Sequence, residues 1–370
     1  MRIKDFKLEE YFAKHEFNVE YSLCSSDCES FNVNELLTLE KDSLENLKKV
    51  WLGYTESLGN PILRKEISKL YSDINPKEVI VFSGAEEAIF ICMNVLLKKD
   101  DHIIVQYPAY QSLYEIANAI GCKVTKWVME DENHWELDLQ FLETNITQTT
   151  KCIVVNFPHN PTGYLPEKEI YEKIINLAKR NNIYLLSDEV YKFLEYNEAN
   201  RLPSACDLYD RGISIGVMSK SFGLAGLRIG WIATKNKALF EKISSFKNYT
   251  TICNSALSEF FAILALRNRS KILNRNLEII NNNLNLLDEF FNKYSNFFKW
   301  IKPKAGSIAF PRLLVNESAE VFCLNLLKKK SVLLMPSTNY DYGDRHFRIG
   351  FGRKNMPEAL QKLEDFLKEL

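Results

Sequence analysis

The sequence predicts an α/β fold: a large domain with a mostly parallel sheet flanked by helices, and a smaller α+β domain after it. Three observations lead there. From about Val79 onward, short β-branched runs alternate with helical patterns, the alternation that parallel strands need for their crossovers. The strand runs are almost continuously apolar, as in VIVF (79–82) and CIVVNF (152–157), which marks strands covered on both faces. After about Lys235 the alternation stops and long helical stretches take over.

Each element follows from its pattern. VIVF leads into the amphipathic run EEAIFICMNVLLKK (86–99), and HIIVQ (102–106) into YQSLYEIANAI (110–120). CIVVNF precedes a loop rich in Pro and Asn and then the helical EKEIYEKIINLAKR (167–180). IYLLSD (183–188), ISIGVMS (213–219) and RIGWIAT (228–234) complete the strand set. The later half offers a long helix over 271–294, in which Phe290, Phe291, Tyr294 and Phe297 fit a core face. Two short apolar runs, SIAFPRLL (307–314) and SVLLMP (331–336), then FRIGFG (347–352) and a last helix from Met356, close the chain. The expected limits are 46–245 for the large domain and 246–370 for the small one. Residues 1–45 form an N-terminal segment that joins the small domain and covers the active site.

Composition excludes several functions. Of 370 residues, 47 are Lys or Arg and 48 are Asp or Glu, so no positive surplus exists to attract nucleic acid. No uncharged apolar run approaches the roughly 18 residues of a membrane-spanning helix, and MRIKDFKLEEYF lacks the apolar stretch of a signal peptide. Of the eight cysteines only Cys24 and Cys28 lie close, without a partner pair or a nearby His, so no metal site is expected. They read as reduced thiols, which points to the cytoplasm.

The residues that carry chemistry stand where strands end, which is where open α/β sheets bind ligands. Asp188 closes the apolar run YLLSD, where a carboxylate needs a cation or several donors to offset its desolvation, or else caps the residues after it. Lys220 follows another apolar strand, and a lysine among buried residues loses its proton readily and can form a Schiff base. Arg228, eight residues on, can clamp a phosphate bidentately. Gly84 stands between strand and helix, where unpaired helix N–H groups receive an anion. A lysine, an acid, an arginine and a helix N-terminus together meet the demands of pyridoxal phosphate (PLP).

The stretches YTESLGNPILRKEI (54–67), SGAEEAI (83–89), YPAY (107–110), NFPHNPTG (156–163), SDEVY (187–191), SKSFGLAGLRIGW (219–231) and FRIGFG (347–352) carry a resemblance. Over nearly its whole length the chain resembles fold-type I PLP-dependent enzymes of the class I/II aminotransferase family. The resemblance implies the PLP-dependent transferase fold and a homodimer with shared active sites. It implies that an amino acid passes its amino group to a 2-oxo acid through a Lys220 Schiff base. Lys220 would also move the substrate proton, and Asp188 would pair with the ring nitrogen. Asn160 and Tyr191 would bond the ring's 3′ oxygen, and Tyr110 would stack on its face. Gly84, Ala85, Glu86, Ser219 and Arg228 would hold the phosphate, with Tyr54 reaching that of the neighbouring subunit. Arg348 would grip the substrate α-carboxylate, and Asn160–Pro161 would be a cis bond.

Two departures stand out. Three residues before the lysine, where many relatives have Ser or Thr, this chain has Val217; either Ser219 or Ser221 compensates, or the phosphate is held by one bond fewer. The amino-terminal part lacks the Gly-x-Pro signature of better-known members. Around Glu16, Asp27 and Glu29 it resembles instead relatives acting on arginine-like substrates, such as capreomycidine synthases and PLP-dependent arginine oxidases. The alternative to an aminotransferase is therefore a lyase, cyclase or oxidase of an arginine-like amino acid. A non-catalytic sensor is a third reading, disfavoured because regulators with this fold carry a helix-turn-helix domain for which this chain has no room. Residues 12–30 are expected to line the side-chain pocket with Glu16, Glu20, Asp27 and Glu29 and to favour a cationic substrate, although Val217 offers no charge beside the lysine for a guanidinium. Arg353 and Lys354 are the cations that an acidic substrate would require. Of the five histidines only His159, beside Asn160, is a candidate for the site.

Overall fold

The computed structural model describes residues 2–369. Seven strands form the main sheet: β1 (Val79–Phe82), β2 (His102–Tyr107), β3 (Lys123–Val128), β4 (Thr150–Asn156), β5 (Tyr184–Asp188), β6 (Gly212–Val217) and β7 (Gly230–Ala233). Their spatial order is β1-β7-β6-β5-β4-β2-β3. From β6 through β5, β4 and β2 to β3 every pairing is parallel, whereas β7 runs antiparallel to both neighbours. That reversal has a purpose: the start of β7 lies at the edge where the other strands end, with Gly230 opposite both Val217 and Phe82.

The six apolar runs read from the sequence are strands of this sheet. The run KVTKWV, which the apolar criterion passed over, is the seventh, β3. It is an edge strand on which only Trp127 is buried, and it carries two exposed lysines, Lys123 and Lys126. Edge strands keep such charges, which discourage further pairing. Helices cover the sheet with their apolar sides. In the helix Lys168–Arg180, for example, Tyr171, Ile174, Ile175 and Ala178 are buried, at i, i+3, i+4 and i+7.

The C-terminal part holds the 25-residue helix Arg269–Lys293 and an antiparallel sheet of β8 (Ile308–Ala309), β9 (Met335–Pro336) and β10 (Phe347–Gly350), with β10 in the middle. In the long helix Phe290 and Phe291 are buried; Tyr294 and Phe297, expected on the same face, lie just past its end at Lys293 and pack partly against the same cluster. The N-terminal segment attaches here: Tyr21–Ser22 pairs with Val332–Leu333, and the helix α1 (Lys7–His15) is tied by the Tyr11 hydroxyl to the Leu334 carbonyl at 2.9 Å. Residues 23–29 then lie directly on β10. The Gly350 N–H donates to the Leu23 carbonyl at 2.8 Å, and the Glu29 N–H to Gly352 at 2.7 Å.

This close approach explains both glycines. A Cβ on Gly350 would stand 1.9 Å from the Ser25 carbonyl oxygen, and one on Gly352 2.4 Å from that of Asp27. Gly350→Ala is therefore expected to destabilise the protein by at least the ~1–3 kcal/mol of an overpacked core and to loosen residues 23–29. Urea unfolding and protease cleavage of the N-terminal segment measure the two effects.

Candidate active site

A cavity of about 530 Å³ opens at the C-terminal ends of the parallel strands. Asp188, the last residue of β5, is 5% exposed. Its carboxylate accepts one hydrogen bond, from the Val190 N–H at 3.2 Å, and burial pushes the group up to about 7. Its carbonyl is pinned by the Phe157 N–H at 3.1 Å and the Asn156 side chain at 2.9 Å. Few donors and a deep position leave this carboxylate in need of a cationic N–H.

Lys220 enters from the loop after β6, and its Nζ donates to Ser26 Oγ at 2.8 Å. Burial lowers its affinity for a proton. Tyr191 is 2% exposed, and its hydroxyl has no hydrogen-bond partner among the described residues. Buried hydroxyls are rarely left so, and the open side of this one is the cavity it lines. Asn160 uses its oxygen to accept from the Tyr340 hydroxyl at 3.0 Å and from Arg348 at 3.3 Å, which keeps its amide N–H groups available. The Asn160–Pro161 bond is cis. Tyr110 donates its hydroxyl to Glu9 at 2.7 Å while its ring sits 4.9 Å from that of Phe6.

The anion end is built by backbone. Gly84 has φ +95° and precedes the 12-residue helix Ala85–Leu96, so Ala85 and Glu86 offer the free N–H groups of its first turn. A Cβ on Gly84 would stand 2.8 Å from the Arg228 guanidinium. Arg228 reaches this place because β7, which follows it, runs antiparallel. No carboxylate pairs with Arg228 among the described residues, and Ser219 lines the same end. Glu86 also turns its side chain into the cavity, accepts from Ser112 at 3.0 Å, and is pushed up to about 7 by burial.

At the other side stands Arg348, on β10 and only 1% exposed. Its Nε and Nη2 donate to the Cys24 carbonyl at 3.0 and 2.8 Å, and its Nη1 to the Tyr340 hydroxyl at 2.6 Å. All these partners are neutral. A buried guanidinium without a carboxylate among the described residues is a receptor for one.

The cavity thus brings together Lys220, Asp188, Tyr110, Asn160, Tyr191, Ser219, Arg228, Arg348, Ala85, Glu86, Glu16 and Asp27, with Gly84 at its rim. Tyr54 is elsewhere: it is 83% exposed and lines a separate cleft beside Trp51. Four expectations need correction. Ser221 cannot replace the residue at Val217, because its hydroxyl is spent on the Val190 and Lys192 carbonyls. His159 is a structural residue, bonded to Thr162 and the Pro108 carbonyl and pushed down to about 3 by burial. Glu20 is exposed outside the cavity, and Glu29 caps the Lys354 N–H at 2.9 Å. Sequence reasoning did not single out Ser26, Tyr340, Glu9 or Phe12, although Ser26 and Phe12 fall in the stretch 12–30 expected to line the pocket; the amphipathic N-terminal helix could have signalled Glu9 and Phe12.

These residues fit PLP. The orphaned Tyr191 hydroxyl, the under-satisfied Asp188 and the Gly84 cradle, which a side chain would fill, each lack the partner that its ring oxygen, ring nitrogen and phosphate provide. The comparisons agree. Residues 20–363 match the family profile of aminotransferase class I and II. Among solved structures, the chain is similar to a PLP-dependent aminotransferase from Streptococcus suis, with 33% identity, a TM-score of 0.94 and coverage of 100% of this chain and 99% of the other. Among relatives, it is 28% identical to a capreomycidine synthase of Streptomyces vinaceus, covering 98% of this chain and 93% of that one. It is also 28% identical to an aspartate aminotransferase of Pyrococcus horikoshii, covering 87% and 85%.

One consequence concerns pH. Asp188 and Glu86 hold their protons to about 7 in the folded, cofactor-free protein, against roughly 4 for carboxyls in the unfolded chain. The folded state therefore binds more protons between these values, and stability falls as pH rises through that window. Seating the cofactor is expected to flatten the Asp188 share of this slope, as thermal melts of loaded and unloaded protein across pH 5–8 would register.

Proposed function

The chain belongs to the aminotransferase class I and II family and is a PLP-dependent aminotransferase; we propose that Lys220, Asp188 and Arg348 carry its reaction, moving an amino group from an amino acid to a 2-oxo acid. The observation that carries the assignment is Arg348, a buried guanidinium without a carboxylate partner among the described residues, lining one cavity with the half-buried Lys220 and the buried Asp188. When bound, PLP supplies an aldehyde that condenses with amines and an electron-poor ring that accepts the electron pair left at the substrate Cα.

The protein's own residues do the rest. Arg348 orients the α-carboxylate, and because amino acids and 2-oxo acids share that group, one arginine serves both halves of the reaction. Lys220, whose proton is loosened by burial, supplies a free amine that first holds the cofactor and then takes the proton from Cα. Asp188 keeps a proton on the ring nitrogen and in exchange gains the partner that its burial demands. Tyr191 and the Asn160 amide hold the 3′ oxygen, and Tyr110, tethered to Glu9, covers the ring. Ser219, Arg228 and the Ala85 and Glu86 N–H groups hold the phosphate.

The same reading includes a homodimer in which Tyr54 serves the neighbouring site. Its support is the short stretch of Trp51, Leu52 and Tyr54, each more than 70% exposed, an apolar surface that a second copy would cover. The cytoplasm suits the eight free cysteines, and no helix among the described residues is long and apolar enough to cross a membrane. The similarity to a capreomycidine synthase favours one second reading, a lyase, cyclase or oxidase acting on an arginine-like amino acid after the same Cα deprotonation. Nitrogen tracing separates them. Labelled α-nitrogen is expected to appear in a new amino acid only when a 2-oxo acid is added, whereas release as ammonia, or retention in a cyclised product, would establish the alternative.

Lys220→Ala is expected to abolish turnover. In the wild-type enzyme, borohydride reduction and peptide mapping should place the pyridoxyl label on Lys220; a label on another lysine refutes the assignment. Arg348→Ala is expected to lower kcat/KM for every amino-acid substrate alike by about 2–5 kcal/mol, the loss of a desolvated charge-assisted contact. Steady-state kinetics with several donors tests this, and loss confined to one donor would show that Arg348 reads side chains instead.

A further inference from the structure

The wall of the cavity formed by the N-terminal segment carries a pattern that transamination itself does not require. Glu9 and Phe12 on α1, and Glu16 just beyond it, face the cavity at i, i+3 and i+7. This spacing places them along one side of a helix.

Five carboxyl groups line the cavity, on Glu9, Glu16, Asp27, Glu86 and Asp188, against three cations, on Lys220, Arg228 and Arg348. The cations are all engaged in the reading above, by cofactor or α-carboxylate. Four of the acids are also accounted for. Asp27 is held by Arg353 Nη2 at 3.0 and 3.1 Å, Glu86 takes a bond from Ser112, Glu9 takes one from Tyr110, and Asp188 serves the ring. The Arg353–Asp27 pair also means that Arg353, the cation expected to serve an acidic substrate, is already matched.

Glu16 is different. Its carboxylate makes no hydrogen bond or ion pair among the described residues, although it is half-buried and burial pushes it up. The Phe12 ring lies 5.6 Å from the Arg348 guanidinium carbon, and Glu16 follows Phe12 by one helical turn, about 6 Å along the axis. An amino acid fixed at Arg348 by its α-carboxylate thus has an aromatic face beside it and an unmatched anion beyond.

We propose that the amino donor is an α-amino acid with a cationic side chain, amine or guanidinium, whose charge is received by Glu16 while Phe12 covers its aliphatic stem. The inference rests on the reading of the cavity as an amino-acid site with Arg348 as the carboxylate anchor. A cation there compensates a desolvated carboxylate, whereas a second carboxylate from aspartate or glutamate meets Glu9, Glu16 and Asp27 against Arg353 alone, which already pairs with Asp27 and lies near Glu16.

The test is a substrate ranking of the holoenzyme with L-arginine, L-ornithine, L-lysine, L-leucine, L-phenylalanine and L-aspartate. At least one cationic amino acid is expected to exceed leucine and aspartate in kcat/KM by about 10-fold or more, the effect of one desolvated charge pair. Glu16→Gln is expected to cut the cationic-to-neutral ratio by about 10-fold, chiefly through KM, and Glu16→Lys to turn the preference toward aspartate. Wild-type preference for aspartate, leucine or phenylalanine overturns the inference while leaving the aminotransferase reading intact. An unchanged ratio in Glu16→Gln overturns the role of Glu16. If none of the six perturbs the cofactor absorbance, the amino-acid reading of the cavity falls and this inference with it. The wild-type ranking needs no variant, so a Glu16 substitution that fails to fold leaves a decisive measurement in hand.

Discussion

The site depends on a strap. Residues 23–29 lie between β10 and the lysine loop that follows β6, and they touch both reactive ends of the cavity. Ser26 receives Lys220, and the Cys24 carbonyl receives two N–H groups of Arg348. On one side the strap is bonded to Gly350 and Gly352; on the other, the Cys28 N–H reaches the Lys220 carbonyl and the Glu29 carbonyl stands against Gly223. Three glycines without room for a methyl group show how tightly it is inlaid. Lysine and arginine hold their separation because one short peptide is fitted to both.

The second constraint is electrostatic. A carboxyl, an amine and a guanidinium share one cavity, the first and last of them buried, yet they do not pair directly with each other. Asp188 is left with one backbone donor, and Arg348 with neutral oxygens. Direct pairing would have quieted each group and removed it from chemistry. Held apart, each keeps an unfilled demand, and the three demands describe a bound molecule with a basic ring nitrogen, a carbonyl carbon and a carboxylate.

What could be read from the sequence follows from the same physics. Lys220, Asp188 and Arg228 are legible because a charged residue bordering an apolar strand is conspicuous, and the strands themselves are legible because burial on both faces makes them continuously apolar. Legibility ends where partners are remote. Ser26 meets Lys220 across 194 positions, and Arg353 claims Asp27 across 326, so no local signal marks either pair. Ser221 looked as suitable as Ser219 for the cofactor because a hydroxyl two residues along the chain reads alike until its direction is known. β3 escaped notice because an edge strand is partly wet and carries lysines like a surface loop. The resemblance to a family supplied the role of Arg348; its burial and neutral partners required the folded chain.

The strap also sets an order of assembly. Cys24 and Arg348 are separated by 324 positions, so the strap cannot seat until a residue made long after it has emerged. The main sheet, by contrast, is complete by Ala233. Until Arg348 follows, the nascent chain presents a lysine loop with no strap across it and no arginine opposite. The two reactive ends of the cavity are therefore joined late, once residues far apart in the chain have met.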